Sequence, residues 1–228
     1  MIYFSNMNNK DTFAVIFDMD GVLINSTKHI WESFNRLVEP YDVHFNEEAR
    51  RKYLGNSLRD QIAMWKEDYG IDVGDPIEFS TKAHKIQTEL MGANPEPDAG
   101  LMQLLQNLKE NDIPMGVGTS SSKVRAEDIL SSLGISNYFD ALVTAEDVSE
   151  HKPNPHTFLE VARRLNISPQ RCVVIEDANA GIEAAINGGM KSIGFLTEWN
   201  SKEELSKADK VIDSFTELSY GELAKLVV

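Results

Sequence analysis

The sequence predicts an α/β fold in which a parallel-sheet core is interrupted, after its first strand, by a helical insertion. Three observations predict it. From Ala99 onward, short apolar runs alternate with segments at helical spacing, the pattern of βαβ units and a parallel sheet. A separate apolar run, Phe13-Ala14-Val15-Ile16-Phe17, lies far upstream; such a run needs both faces covered, which places it in the same sheet. Between the two lies a block with helix signals and no convincing strand.

The elements follow in order. The first strand ends at Asp18-Met19-Asp20-Gly21, where glycine lets the chain turn sharply. Ser26 is placed to cap a helix from Thr27 to Glu39, stopped by Pro40. Asn46 caps a short helix through Arg51, and Ser57 caps another from Leu58 to about Asp68, ended by Gly70. Asp60, three residues after Ser57, is a weaker variant of the capping box. A helix from Pro76 to Leu90 leads to Gly92 and the linker Pro95-Glu96-Pro97. Trp31, Phe34 and Leu37, at i, i+3 and i+6, are expected in the core of this helical block.

Beyond the linker, helix Leu101–Glu110 leads to strand Ile113–Gly118, and helix Lys123–Leu133 to strand Phe139–Val143. Helix Pro155–Leu165 leads to strand Cys172–Glu176, and helix Ala180–Asn187 to strand Lys191–Phe195. Asn154 and Pro155 supply an N-cap and a first-position proline. Gly134 and Gly188 sit where helix ends require positive φ. A short strand near Lys210–Ile212 and a terminal helix close the fold. The expected division is a leader over residues 1–11, a core of residues 12–26 and 96–228, and a helical cap domain over residues 27–95.

With 228 residues and 42% apolar content, the chain can bury a sizeable core. It has no apolar run of about 18 residues and no basic-then-apolar amino terminus, so a cytoplasmic protein without a membrane partner is expected. Cys172, the single cysteine, cannot form an internal disulfide and opens an apolar run, which predicts a buried structural thiol. The net charge of −14 argues against nucleic acid or an anionic membrane as partner. An anionic substrate would therefore need local positive charge from a cation, a lysine or backbone amides.

Asp18 and Asp20, at i and i+2 of an extended segment, can face one common point just past a strand's carboxyl end. Three further loops also follow predicted strands and gather at that edge. Gly118-Thr119-Ser120-Ser121-Ser122 places hydroxyls and amides at a helix start, a ready anion site. In His151-Lys152-Pro153-Asn154-Pro155, two prolines restrict where the Lys152 ammonium can point. Glu176-Asp177-Ala178-Asn179-Ala180-Gly181 presents acids at a strand end, followed by a small-residue turn into a helix.

With these four segments, the chain resembles the haloacid dehalogenase-like hydrolases, whose motifs match DMDGVLINS, GVGTSSS, HKPNP and VIEDANAG. The resemblance spans nearly everything from Phe13 onward and implies a Rossmann-like core, a helical cap and Mg²⁺ as cofactor. It implies Asp18 as nucleophile and Asp20 as general acid/base, with Thr119 bonding the transferred phosphoryl and Lys152 steadying it. It implies Mg²⁺ held by Asp18, Asp177 and the Asp20 carbonyl, with Glu176 a direct or supporting ligand.

Asp20 separates branches of such a family: an acid at this position suits the leaving group of a phosphate ester. The expected function is a Mg²⁺-dependent phosphatase acting on a small phosphorylated metabolite through an aspartyl-phosphate. A β-phosphoglucomutase-like activity is the alternative, supported by the Glu176-Asp177 pair. Against it, Leu58 rather than an arginine follows Gly55-Asn56-Ser57, and His29 and Lys123 are each displaced by one from the mutase pattern. A non-catalytic binding module would be credible had one of Asp18, Asp20, Lys152 or Asp177 been replaced, and none is. Ser120, Ser121, Asn56, Ser57, Arg59 and Lys123 are the candidates for gripping the substrate. Sugar phosphates, phosphoglycolate and nucleotide monophosphates all fit the sequence, which leaves the oligomeric state open.

Overall fold

The computed structural model describes residues 12–53, 56–91, 97 and 100–227. The expected leader over residues 1–11, Gly55, Gly92 and most of the 95–97 linker lie outside the described residues.

Among the described residues the core is a six-stranded, wholly parallel sheet. Its strands are β1 (Ala14–Phe17), β2 (Met115–Gly118), β3 (Ala141–Val143), β4 (Cys172–Glu176), β5 (Lys191–Phe195) and β6 (Lys210–Ile212), in the order β3-β2-β1-β4-β5-β6. This is the doubly wound order with a reversal beside the first strand, the place where such sheets hold ligands. β1 is central, paired to both β2 and β4. Its alternate residues serve opposite layers. Val15 and Phe17 enter one apolar cluster, and Ala14 and Ile16 enter the other.

Helix α5 (Leu101–Glu110), α6 (Lys123–Ser132) and α9 (Tyr220–Leu226) contribute to the first of these clusters. The other contains residues of α7 (His156–Leu165) and α8 (Asn179–Asn187).

The insertion holds α1 (Thr27–Val38), α2 (Glu47–Tyr53), α3 (Leu58–Tyr69) and α4 (Pro76–Met91). They enclose an aromatic core of their own, in which Phe34, Phe45 and Phe79 pack around the fully buried Trp65. Burying a ring of this size is worth about 2–3 kcal/mol, so the helical block carries its own driving force. Asn46 caps α2 by accepting from Ala49 N at 2.9 Å, and Ser57 caps α3 by accepting from Asp60 N at 3.2 Å.

Three capping expectations are corrected. Pro155 is itself the N-cap of α7 rather than its first residue, and Asn154 Oδ1 accepts from His156 N at 3.0 Å. Ser26 makes no cap bond to α1, because its hydroxyl donates to Asp20 instead. After α8 it is Gly189, not Gly188, that adopts positive φ (+71°), while Gly188 stays right-handed at −80°.

Candidate active site

The carboxyl edge of the sheet fixes the site's backbone before any side chain acts. Asp18 N donates to Ile175 O at 2.9 Å and Thr119 N to Val143 O at 3.0 Å, each extending a parallel ladder by one bond. Past Asp18 the chain folds tightly, with Gly21 N donating to Ile24 O at 2.8 Å. Gly21 has φ +86°, and a Cβ there would fall 2.0 Å from Asp177 Oδ2. A side chain is therefore excluded on both counts, and the β1 turn can press against the β4 acids.

Lys152 is the electrostatic centre of this edge. Its ammonium is buried and donates to Asp18 Oδ1 at 2.5 Å, Glu176 Oε1 at 2.8 Å and Gly118 O at 3.1 Å. All three ammonium donors are thus satisfied, and the Phe158 ring closes its far side at 4.6 Å. Burial alone would lower the lysine's pKa, but the charges of Asp18 and Glu176 outweigh it and raise it above the ordinary value.

The acids outnumber that cation. Burial, with added negative charge from Glu176 and Asp20 that Lys152 only partly offsets, pushes Asp18 up to about 7. Burial and the charges of Glu176 and Asp18 raise Asp177 well above the usual carboxylate range. Among the described residues, the Asp177 carboxylate has neither a hydrogen bond nor an ion pair, only backbone contact from Asn200 Nδ2 to its carbonyl at 2.7 Å. An unpaired buried carboxylate beside a second one is an arrangement that accommodates a hard cation. Among the described residues no three His, Cys, Asp or Glu side chains close into a full metal cage. An ion held by one or two carboxylates together with waters and substrate oxygens, as Mg²⁺ is, does not require such a cage. Glu176 fits a supporting position: Oε1 accepts from Lys152, and Oε2 accepts from Ala178 N at 2.7 Å.

Asp20 stands differently from what its sequence position led one to expect. Arg125 grips both its oxygens, NH1 to Oδ2 and NH2 to Oδ1, each at 2.6 Å. Ser121 Oγ adds a bond at 2.7 Å and Ser26 Oγ another. Burial pushes this carboxyl up, but Arg125 and the two hydroxyls outweigh it and hold it below the ordinary value. Arg125 escaped the sequence reading, although it lies in the first turn of α6, where its NH1 donates to Ser121 Oγ at 2.7 Å. Its Nε reaches Gln87 Oε1 on α4 at 2.7 Å, and Gln87 Nε2 reaches Ser33 Oγ on α1 at 3.0 Å. A buried polar chain thus runs from the cap helices to Asp20.

A cavity of about 150 Å³ opens between this edge and the helical block. Asp18, Thr119, Ser120, Ser121, Lys152 and Asp177 form its floor. Asn56 lines the opposite wall. The other three expected substrate contacts lie outside the cavity lining. Ser57 is buried as the α3 cap, accepting from and donating to Asp60. Arg59 is exposed beside a separate surface cleft with Glu150 and His151. Lys123 is exposed and faces Glu127 at 3.8 Å. Both cations lie on the solvent side of their helices. Gln61 and Gln87, which do line the cavity, read as ordinary polar helix positions in the sequence.

The sequence and fold are also similar to those of known proteins. A family model described as haloacid dehalogenase-like hydrolase matches residues 15–195. A phosphorylated carbohydrates phosphatase from Thermotoga maritima is 32% identical, covering 87% of this chain and 92% of that protein. A validoxylamine A 7'-phosphate phosphatase from Streptomyces hygroscopicus subsp. limoneus is 32% identical, covering 91% of this chain and 96% of that protein. The crystal structure of a β-phosphoglucomutase from Clostridium difficile superposes with a TM-score of 0.81 at 27% identity, covering 95% of this chain and 97% of that one.

Proposed function

Because the chain belongs to the haloacid dehalogenase-like hydrolase family, we propose that it is a Mg²⁺-dependent phosphatase. Its substrate is a small phosphorylated metabolite, a sugar phosphate or similar, and its route is an aspartyl-phosphate on Asp18. The observation that carries this reading is the contact of Lys152 Nζ with both Asp18 Oδ1 and Glu176 Oε1 at the sheet edge. Asp18 Oδ2 has no hydrogen-bond partner among the described residues, and Asp18 lines the cavity together with Thr119.

In this reading Asp18 attacks phosphorus in line, and Lys152 carries positive charge against the phosphoryl oxygens. Glu176 keeps Lys152 charged and aimed. Thr119 and the amides opening α6 bond the transferred group. Asp18, Asp177 and the Asp20 carbonyl would hold Mg²⁺, which when bound supplies charge neutralisation between the attacking carboxylate and the phosphoryl group. Asp20 hands a proton to the leaving oxygen and then takes one from the hydrolytic water, so it must release Arg125 during turnover.

The names of the phosphatase relatives support the hydrolytic outcome, and the structural likeness to a β-phosphoglucomutase supports mutase activity as a second reading. Among the described residues no helix is long and apolar enough to cross a membrane. With the −14 net charge, this supports a cytoplasmic enzyme without nucleic-acid or membrane partners. The proposed cap, residues 27–95, closes the cavity over the core of residues 12–26 and 96–228.

The test incubates the protein with Mg²⁺ and a panel of phosphorylated metabolites, following free phosphate. β-Glucose 1-phosphate with a bisphosphate primer is included, following glucose 6-phosphate. Net phosphate release supports the phosphatase; rapid isomerisation without release would establish the mutase instead.

A further inference from the structure

Resting on the Mg²⁺ site of the phosphatase reading, we infer that Asn200 is a positioning residue for the metal: it sets where the Asp177 carboxylate stands. Little else holds that carboxylate. Asp177 is buried, and among the described residues no hydrogen bond or ion pair reaches either of its side-chain oxygens. Its neighbours Asp18 and Glu176 are each held by Lys152. The place of the Asp177 carboxylate therefore rests on the backbone that carries it.

That backbone is clamped at one peptide plane. The ladder between β4 and β5 ends at the Glu176–Gly194 pair. Just past it, Asn200 Nδ2 donates to Asp177 O at 2.7 Å and to Phe195 O at 2.9 Å. Two carbonyls cannot bond one another, and an amide NH₂ supplies two donors without adding a charge beside the acids. On the same peptide unit, Ala178 N donates to Glu176 Oε2 at 2.7 Å. The carbonyl and the N–H of that unit are thus gripped from two directions. This fixes the plane and leaves the Asp177 side chain only its rotamers.

The Asn200 amide is itself held in place. Its Oδ1 accepts from Thr197 N at 3.0 Å, which fixes which end of the amide carries the NH₂. Thr197 Oγ1 accepts from Trp199 N at 3.1 Å and closes the loop on itself. On the outer side, the Arg50 guanidinium of α2 lies over the Trp199 ring, 5.8 Å from its centre. Residues 197–200 are thereby braced between the helical block and the β4 acids. They belong to none of the four motif segments. Partners that orient a metal ligand without touching the ion typically change its affinity by about 10–100-fold when they are lost.

The test titrates Mg²⁺ alone into the full chain by calorimetry, which reads affinity with no substrate present. The parent chain is expected to bind Mg²⁺, and Asp177→Asn is expected to lose measurable binding. Asn200→Ala is expected to weaken binding about tenfold. Asn200→Ser, whose short hydroxyl cannot span both carbonyls, is expected to weaken it similarly and takes the place of Asn200→Ala if that variant does not fold. Unfolded chain lowers the stoichiometry rather than the affinity, so partial misfolding does not imitate the effect. Thr197→Val loosens the same loop without touching the bond to Asp177 and should leave the affinity unchanged. Binding that Asp177→Asn abolishes but the Asn200 variants leave unchanged overturns the inference and leaves the metal site standing. An equal loss in Thr197→Val also overturns it, since any damage to the loop would then suffice. A parent chain that binds no Mg²⁺, or binding indifferent to Asp177→Asn, removes the metal site of the phosphatase reading and this inference with it.

Discussion

Arg125 holds both carboxylate oxygens of Asp20 at 2.6 Å, and the same guanidinium reaches Gln87 of the helical insertion at 2.7 Å. The proposed proton carrier is therefore tied, through one side chain, to the element that covers the cavity. A paired Asp20 is ionised and cannot donate; a released Asp20, buried beside other acids, gains a proton more readily.

Arg125→Met should accordingly move the basic limb of the kcat/KM–pH profile to higher pH. Arg125 holds Asp20 below its ordinary value. Its removal raises that value, so the protonated acid persists to higher pH. The variant should also lose about 3 kcal/mol of stability, because one partner of a largely buried pair is left alone. A pH–rate series and a urea titration check the two effects separately.

Gly181→Ala should abolish most activity while touching no proposed catalytic group directly. A Cβ at Gly181 would sit 1.8 Å from Glu176 Oε1, the oxygen that holds Lys152. The carboxylate must move, and Lys152 loses one of its anchors. Overpacking of this kind costs about 1–3 kcal/mol, so the fold should survive in circular dichroism while turnover falls.

Removing Mg²⁺ should make stability pH-dependent in a defined direction. Asp18 is raised from 3.8 to about 7 in the folded chain, and Asp177 is raised as well. Between those two pH values the native state keeps protons that the unfolded chain has lost, so stability falls as pH rises through the window. Mg²⁺ should flatten this slope and expel protons on binding. Melts from pH 4.5 to 7.5 with chelator and with Mg²⁺ measure the slope, and Asp18→Asn should flatten it without metal.

Cys172 should resist thiol reagents in the native state. It is fully buried, and burial pushes its thiol up to about 12, so almost no thiolate exists at pH 8. Reaction with a disulfide reagent should follow unfolding by denaturant rather than precede it.

Much of this was legible in the residues. The runs Cys172–Glu176, Lys191–Phe195 and Lys210–Ile212 have the bounds read from the sequence, because apolar runs framed by turn residues have few other ways to be buried. Asp18, Thr119, Lys152 and Asp177 were readable as companions because each follows a strand, and parallel strands deliver such loops to one edge. The partners of Asp20 were not. Ser26 reads as a helix cap and Arg125 as one more solvated basic residue, and only the packed tertiary fold turns both toward the same carboxylate. Arg59 and Lys123 lie outside the cavity lining for the complementary reason. A cation near a motif is conspicuous in sequence, but helix phase decides which way it points, and both point to solvent.

The central claim is that Asp18 carries the phosphoryl group during turnover. The direct measurement is rapid acid quench with a ³²P-labelled substrate ester, followed by borohydride reduction and peptide mapping. Label should appear on the protein at early times and decay with turnover, and reduction should convert residue 18, and no other aspartate, to homoserine. Steady turnover with unlabelled protein, or label mapped to another residue, would contradict the account.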